Sequence, residues 1–276
     1  MTADPTSWLA ANERGAPLIV AFPHTGTDIP PDIERDLASP TLSCQDTDWW
    51  VERLYDFAAA LGATTVRTSI SRTVIDVNRD PSGASLYPGQ ATTELCPITT
   101  FDGEPLYRPG REPDPAQVDE RRRLYFEPYH AALAAQFGRL RARHARVVLY
   151  DAHSIRSLIP RLFEGELPHF NIGTWRGASC DPALTAAVEA ACAVTGFTQV
   201  TNGRFQGGWT TRTHGRPADG VHAIQMELAC RAYMDEPADP LTPANWPPPY
   251  DSDRATPARA VLAKVLETCI AFAQAL

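Results

Sequence analysis

The stretch PLIVAFPHTG, residues 17–26, joins a short apolar run directly to a histidine and a loop of small residues. An apolar run bounded by Gly15 and by the loop PHTG is typical of a strand that is buried on both faces. Such strands belong to parallel sheets whose two faces are covered by helices, so the stretch predicts an α/β fold. His24 then stands at the carboxyl end of the strand, where open α/β sheets bind their ligands.

The rest of the chain alternates strand and helix patterns in the same way. RVVLYDAHS (146–154) predicts another strand that ends in polar residues, and the β-branched run at 63–79 predicts one or two further strands. GVHAIQMELA (220–229) is consistent with a strand, although Glu227 would also suit the solvated face of a helix. Apolar spacing of about 3.6 residues predicts helices at 46–62, 116–144, 181–196 and 258–276. The pattern therefore predicts a single α/β domain over residues 1–276, with a mostly parallel mixed sheet flanked by helices.

Residues 80–115 differ from this pattern because they are rich in Pro, Gly and Thr. A segment without regular structure that exceeds about 12 to 15 residues is usually functional or disordered. Together with GGWTTRTHGRP (207–217), this loop is predicted to form a lid over a binding site.

Composition and charge exclude several classes of function. Lys plus Arg number 25 and Asp plus Glu number 33, so the formal net charge of −8 disfavours binding to nucleic acids and to anionic membranes. The six cysteines form no CxxC pair, which argues against zinc knuckles and disulfide scaffolds. The sequence shows neither a leader pattern nor an apolar window near the roughly 18 residues of a membrane span. We expect a cytoplasmic protein that acts on a small soluble molecule, with its oligomeric state open.

The predicted strand ends carry side chains that could bind a metal. His24 and His153 follow two of the strands, and Glu227 lies near the end of a third. Two histidines and one carboxylate, with a fourth position left to water, are the ligands expected of a hydrolytic zinc ion. Asp46 or Asp48 could supply that carboxylate, and a free carboxylate nearby would accept a proton from the water.

Each of these residues also has a simpler explanation. A single histidine after a strand is more often a capping or surface residue than a metal ligand. Acidic residues at the start of a helix are favoured by the helix dipole alone.

Several strings, in their order along the chain, resemble the N-formylglutamate amidohydrolase family. They are PHTG (23–26), DTDWWVERLYDF (46–57), SRTVIDVNRDPSG (71–83), LYDAHSIRSLIPRLF (149–163), FNIGT (170–174), and FQGGWTTRTHGRP with GVHAIQMEL (205–228). The resemblance extends from about residue 15 to residue 270. It implies a zinc-carboxypeptidase-like (phosphorylase/hydrolase-like) fold, one Zn²⁺ per chain, and hydrolysis of N-formyl-L-glutamate to formate and L-glutamate in histidine degradation.

The resemblance also implies roles for individual residues. His24, Asp48 and His153 match the strings that supply metal ligands, with Asp46 or Asp28 as alternatives for the carboxylate, and Glu227 matches the catalytic glutamate. Zinc carboxypeptidases bind their metal through H-x-x-E after the first strand. The fourth residue of that string here is Thr27, a poor zinc ligand, so the third ligand must come from elsewhere.

Substrate binding is expected to depend on arginine, because N-formylglutamate carries two carboxylates and a guanidinium can hold a carboxylate with two parallel hydrogen bonds. Asn78 and Arg79 resemble an Asn-Arg pair that grips a substrate carboxylate. Candidates for the second carboxylate are Arg72, Arg204 and Arg212. Three alternatives stay open, namely a related N-acyl-amino-acid amidohydrolase of the aspartoacylase type, a carboxypeptidase for short peptides, and a binding protein that keeps the fold without catalysis.

Overall fold

A mixed sheet of seven strands runs through the protein, whose computed structural model describes residues 7–237 and 241–275. The strands are β1 (Leu9–Asn12), β2 (Leu18–Phe22), β3 (Thr64–Thr68), β4 (Val147–Ile155), β5 (Phe170–Gly173), β6 (Gln199–Thr201) and β7 (Val221–Ala229). Their order across the sheet is β1-β3-β2-β4-β7-β5-β6. β1 pairs with β3 and β5 pairs with β7 in antiparallel fashion, whereas the other neighbouring strands are parallel. The predicted α/β fold with a mostly parallel mixed sheet is confirmed.

Helices of very different lengths cover the sheet. In the described residues they are α1 (Pro31–Glu34), α2 (Pro40–Ser43), α3 (Val51–Leu54), α4 (Pro115–Arg121), α5 (Glu127–Arg141), α6 (Pro182–Cys192), α7 (Trp209–His214) and α8 (Ser252–Gln274). A π-helical turn, Arg122–Phe126, joins α4 to α5, so the long helix predicted at 116–144 is confirmed with its irregular turn just before Pro128. No helix of the described residues has both the length and the apolar character that crossing a bilayer requires.

Both faces of the sheet are buried, which explains the unbroken apolar run of β2. Leu18, Val20 and Phe22 pack on one face, in the cluster that includes side chains of α6 and α8. Ile19 and Ala21 point to the other face, in the cluster that includes side chains of α5. Because successive side chains of a strand alternate between faces, a strand covered on both sides is apolar at consecutive positions instead of at every second one.

The helix predicted at 46–62 is wrong in extent. The structure forms only α3 and a 3₁₀ turn, Asp56–Ala59. Trp50, with φ of 66°, is in the left-handed region, which an α-helix cannot contain. The backbone N–H of Asp48 donates to His24 O at 3.0 Å, so a contact between distant segments holds the chain outside a helix here.

The segment predicted as strand at 63–79 is only partly so, since β3 ends at Thr68 and residues 71–79 form turns and irregular structure. Arg72 Nη2 donates to Asp76 Oδ2 at 2.7 Å. In an extended strand, residues four apart would lie about 13 Å apart, so this buried pair requires a turn. Asn78 and Arg79 therefore follow a turn and do not end a strand. The sequence also did not predict β1, β5, β6, α1, α2 and α7.

Residues 80–114 contain neither helix nor strand, as the sequence predicts, apart from isolated bridges. The loop is nevertheless attached to the rest of the fold. Tyr87 Oη donates to Gly207 O at 3.0 Å and accepts from Gln206 N at 3.2 Å. These bonds fix the loop against the segment that leads into α7.

Candidate metal centre and substrate cavity

The carboxyl ends of three neighbouring parallel strands bring the candidate residues together. His24 follows β2, whereas His153 and Glu227 lie directly opposite each other near the ends of β4 and β7. Asp48 reaches the same place from the segment before α3, where its side chain also accepts a hydrogen bond from Ser154 N at 3.2 Å. The site thus lies where open α/β sheets bind ligands.

His24, Asp48 and His153 form a compact buried group. His153 Nδ1 lies 3.1 Å from His24 Nδ1 and 3.2 Å from Asp48 Oδ2, and His24 Nδ1 lies 3.7 Å from the same oxygen. A tetrahedral ion with bonds of 2.0 to 2.1 Å would set neighbouring ligand atoms about 3.3 Å apart. The group could therefore hold a metal ion.

Two buried carboxylates bind the opposite nitrogens of these imidazoles. His24 Nε2 lies 2.7 Å from Asp76 Oδ1, and His153 Nε2 lies 3.1 Å from Asp151 Oδ2. If each Nε2 carries the proton that its carboxylate accepts, both Nδ1 lone pairs point at each other and at Asp48. Such an arrangement is repulsive unless a proton or a cation lies between them, and carboxylates of this kind commonly orient metal-binding histidines.

The pKa shifts of the group have the same physical basis. Burial would raise the pKa of Asp48, but hydrogen bonds with His153 and His24 hold it below its usual range. Burial would likewise lower the pKa of His153, but Asp151 and Asp48 raise it well above its ordinary value. In the absence of a metal the centre therefore stabilises a positive charge, which is the charge that a bound ion would supply.

Glu227 is a buried carboxyl group beside these residues, opposite His153 in the sheet. Burial raises its pKa to about 8, and the nearby His153 opposes that rise. Gln225 Nε2 donates to Glu227 Oε2 at 3.2 Å, while Gln225 Oε1 accepts from Gly208 N at 2.7 Å. The carboxyl group is therefore held in a fixed orientation and can exchange a proton near neutral pH.

A cavity of about 570 Å³, including its open mouth, extends from these residues to the surface. The 80–115 loop forms one wall, and the segment before α7 forms another. The residues that line the cavity are His24, Arg72, Asn78, Arg79, Tyr87, Ala91, Thr92, Thr93, Phe101, His153, Ile155, Leu162, Arg204, Phe205, Gly208, Gln225 and Glu227.

Comparison with known proteins identifies the family. The sequence profile described as N-formylglutamate amidohydrolase matches residues 16–234. The chain belongs to the N-formylglutamate amidohydrolase family. It is 46% identical over 265 residues to the N-formylglutamate deformylase of Pseudomonas aeruginosa, with 94% of this chain and 95% of that protein covered. It is 43% identical over 269 residues to the N-formylglutamate deformylase of Pseudomonas putida, with 96% of each covered.

A solved structure shows the same fold. The crystal structure of N-formylglutamate amidohydrolase from Ralstonia eutropha superposes with a TM-score of 0.76 at 24% identity, covering 96% of this chain and 97% of that chain. The likeness extends over nearly the whole of both chains, so the two proteins share the same overall fold.

The structure separates the alternatives for the carboxylate in this family member. Asp46 Oδ2 accepts a hydrogen bond from Phe101 N at 2.7 Å, and burial raises the pKa of Asp46 to about 6. Asp28 accepts from Ser69 Oγ at 2.5 Å. Of the three candidates, Asp48 is the carboxylate that lies with both histidines.

The predicted substrate-binding arginines fall into different environments. Arg72 is tied to Asp76 at 2.7 Å and to Asp48 at 3.5 Å. Arg79 Nη2 donates to Thr93 Oγ1 at 3.0 Å. Arg204 lines the cavity, whereas the guanidinium of Arg212 donates to two backbone carbonyls, at 2.8 and 2.9 Å, and does not line it.

Asn78 occupies a position between the candidate metal group and the cavity. Its Nδ2 lies 3.0 Å from His153 Nε2 and 3.3 Å from Asp151 Oδ2, while its Oδ1 accepts from Thr210 N at 2.8 Å. A Cβ at Gly208 would lie 2.4 Å from Asn78 Nδ2, so only glycine fits there. With the His153 proton on Nε2, the amide donates to Asp151 Oδ2 and so helps to hold the carboxylate behind His153, while it also lines the cavity.

Sequence reasoning missed Asp76 and the supporting role of Asp151. The sequence pattern could have predicted the role of Asp151, because residues two apart on a strand, such as Asp151 and His153, point to the same side. No sequence pattern predicts the role of Asp76, since it lies in an irregular segment, 52 positions from His24 in the chain. Only the folded arrangement of β2 and the 71–79 segment brings them together.

Proposed function

We propose that this protein is a zinc-dependent amidohydrolase that converts N-formyl-L-glutamate and water to formate and L-glutamate. The buried group of His24, Asp48 and His153 beside Glu227 carries the proposal. The names of the two relatives at 46% and 43% identity support this substrate. We further propose one catalytic domain over residues 1–276, acting in the cytoplasm in histidine degradation.

The residues present fit a zinc ion. The two imidazoles, with each Nε2 facing a carboxylate, and Asp48, whose Oδ1 accepts no hydrogen bond from the described residues and has Arg72 as an ion-pair partner at 3.5 Å, are a donor set that suits a divalent cation. His24, Asp48 and His153 would hold the ion. When bound, zinc polarises the formyl carbonyl and lowers the pKa of its water to about 7.

Glu227 performs the proton transfers. It accepts a proton from the water whose oxygen attacks the formyl carbon, and it then donates that proton to the amine nitrogen as the carbon–nitrogen bond breaks. Formate and L-glutamate are released. The same carboxyl group serves both steps, first as base and then as acid, and Gln225 keeps it oriented.

Arg79 binds the α-carboxylate of the substrate. Asp76 lies 3.5 Å from Arg79 Nε and 2.7 Å from His24 Nε2, so Arg79 is close to the reacting centre. The α-carboxylate is the carboxylate nearer to the scissile amide. A planar guanidinium there fixes the position of that amide.

The charge of the site also suits a dianionic substrate. Three arginines line the cavity, and three buried carboxylates lie in or behind the metal group, so these charges cancel before Glu227 and a divalent ion are included. A bound divalent cation makes the total positive, which attracts an anion with two charges. These residues are Arg72, Arg79, Arg204, Asp48, Asp76 and Asp151.

Formate release tests the proposal. The metal-loaded protein should release formate from N-formyl-L-glutamate, lose this activity with a chelator, and regain it with added zinc. N-acetyl-L-glutamate is the matched control, because a faster reaction with it would indicate an aspartoacylase-like enzyme. Cleavage of short peptides without formate release would indicate a carboxypeptidase. Unchanged formate release after complete removal of metal would overturn the zinc mechanism.

A further inference from the structure

The three arginines that line the cavity differ in their partners. Arg72 is bonded to Asp76 and lies near Asp48, and Arg79 Nε lies 3.5 Å from Asp76. Within residues 7–237 and 241–275, no carboxylate lies within 4.0 Å of Arg204, which instead contacts backbone carbonyls and aromatic rings. It is therefore the cavity arginine whose charge the described protein leaves without a direct counter-charge.

The guanidinium of Arg204 is nevertheless held in one position. Its Nε donates to Leu162 O at 2.8 Å, and its Nη2 donates to Ala91 O at 2.8 Å. It lies 5.3 Å from the ring centre of Tyr87 and 5.4 Å from that of Phe205. These contacts orient the guanidinium plane and leave hydrogens of both Nη atoms for another acceptor.

The segment that carries Arg204 rests on a turn with left-handed backbone. Trp175 and Arg176 have φ values of 46° and 55°, which are costly for side chains other than glycine. Trp175 N donates to Gln206 O at 2.6 Å, and Asn202 Oδ1 accepts from Arg176 N at 3.2 Å. These bonds hold the turn against the 202–206 segment and so fix the backbone on both sides of Arg204.

A partly buried cation without a counter-charge is unfavourable unless a ligand supplies the opposite charge. Burial lowers the pKa of Arg204, and the positive charge of Arg79 lowers it further. A carboxylate bound at Arg204 would oppose both effects. The cavity wall at Arg204 is thus suited to an anion.

The two arginines differ in their connection to the metal group. Arg79 is linked through Asp76 to His24, whereas Arg204 bonds to the carbonyls of Leu162 and Ala91 and has no hydrogen bond or ion pair with His24, Asp48 or His153. In N-formylglutamate the side-chain carboxylate lies two methylene groups beyond the carbon that carries the α-carboxylate. We infer that Arg204 binds this side-chain carboxylate and selects formylglutamate over formyl amino acids with neutral side chains, an inference that rests on the proposed function.

A comparison of two substrates tests this assignment. N-formyl-L-glutamine differs from N-formyl-L-glutamate by one neutral amide in place of the carboxylate. Arg204→Gln should lower kcat/KM for N-formyl-L-glutamate by about 10- to 100-fold, which is the loss expected when one charge-assisted hydrogen bond to the substrate is removed. The value for N-formyl-L-glutamine should stay within about threefold of the wild-type value. The ratio of the two values does not depend on how much of a preparation is folded.

Two variants serve as controls in the same assay. Arg79→Gln should lower kcat/KM for both substrates by similar factors, because both carry the α-carboxylate. Arg212→Gln removes an arginine that also stacks on Tyr87, with its guanidinium 4.9 Å from the ring centre, but that bonds only to backbone carbonyls. It should leave the ratio between the substrates unchanged.

The outcomes separate this inference from the proposed function. Equal losses on both substrates in Arg204→Gln, or a wild-type protein that does not distinguish them, would overturn the role of Arg204. If the metal-loaded wild type hydrolyses neither substrate, the proposed reaction fails. Calorimetric binding of L-glutamate and L-glutamine then tests Arg204 directly. A preference for L-glutamate that Arg204→Gln abolishes supports the assignment, and binding unaffected by the substitution overturns it.

Discussion

Each imidazole of the candidate metal centre has a buried carboxylate at its Nε2, so that its Nδ1 faces the centre. Asp76 serves His24, and Asp151 serves His153. Since these carboxylates set the tautomer and the direction of each ring, the metal affinity of the site depends on residues that do not touch the metal. Glu227, beside them, has a different environment that raises its pKa and suits it to proton transfer.

Asp151→Asn should weaken zinc binding by about 10- to 100-fold, because an amide no longer fixes the proton on His153 Nε2. Competition with a chelator of known affinity measures the change. Asp181→Asn is the control, since Asp181 caps α6 through a hydrogen bond from Ala183 N and has no link to the centre. Wild-type zinc affinity in Asp151→Asn would show that the carboxylate does not orient His153.

Glu227→Gln should reduce kcat by about 10² to 10⁴ while the zinc content stays at one ion per chain. The amide keeps the size of the carboxyl group but cannot accept a proton. Steady-state kinetics and metal analysis of the same preparation measure both quantities. Loss of the metal, with the rate falling only in proportion, would instead make Glu227 a ligand.

At the scale of elements, α5 and α7 are joined by a pair of buried histidines. His130 of α5 donates from Nε2 to Val77 O at 2.8 Å, and its Nδ1 lies 3.1 Å from His214 Nε2 of α7. Burial lowers the pKa of His130 to about 4, and burial together with His130 lowers the pKa of His214 to about 3. Both imidazoles are therefore neutral in the folded protein at neutral pH.

This pair should make the protein less stable as the pH falls from about 6.5 to 4. The unfolded chain takes up protons on both imidazoles near pH 6.5, whereas the folded protein does not, so stability is complete above that pH and is lost below it. Each imidazole contributes a slope of at most about 1.4 kcal/mol per pH unit. Chemical denaturation from pH 7.5 to 4.5 should show a shallower slope for His130→Gln. A slope equal to that of the wild type would contradict the assignment.

At the scale of the whole molecule, the metal group connects parts of the chain that are distant in sequence. His24 follows β2, Asp48 precedes α3, and His153 lies on β4. An ion bound by all three would link the centre of the sheet to the connection that crosses its carboxyl edge. Metal binding and folding are then coupled, because the unfolded chain does not assemble the site.

Removal of zinc should therefore lower Tm by about 5 to 10 °C. An ion present at 100 times its Kd stabilises a folded protein by about 2.7 kcal/mol. For a domain of this size, each kcal/mol corresponds to about 2 to 4 °C. Thermal unfolding with zinc and with a chelator measures the shift. His153→Ala is the control, because its Tm should not respond to zinc, and an identical Tm for the wild type in both conditions would exclude a structural contribution of the ion.

Local sequence pattern was enough to predict several parts of the fold and the site. An unbroken apolar run predicted β2, and apolar runs that contain or end in polar residues predicted β4 and β7, because a strand covered on both faces is mostly apolar. Because open α/β sheets bind ligands at the carboxyl ends of their strands, the sequence also predicted that His24, His153 and Glu227 lie close together. In the structure all three line the same cavity.

The tertiary structure alone decided the features that arise from contacts between distant segments. The helix predicted at 46–62 was replaced by short turns, since Asp48 is bound to His24 and Ser154 instead of starting a helix. The 71–79 segment likewise turns inward to pair Arg72 with Asp76. Local propensities amount to a few tenths of a kcal/mol per residue, whereas breaking a buried ion pair costs about 3 to 5 kcal/mol. The buried ion pairs therefore determine the backbone conformation of these segments. The hydrogen-bond and ion-pair partners that distinguish Arg72, Arg79 and Arg204 come together only in the folded chain.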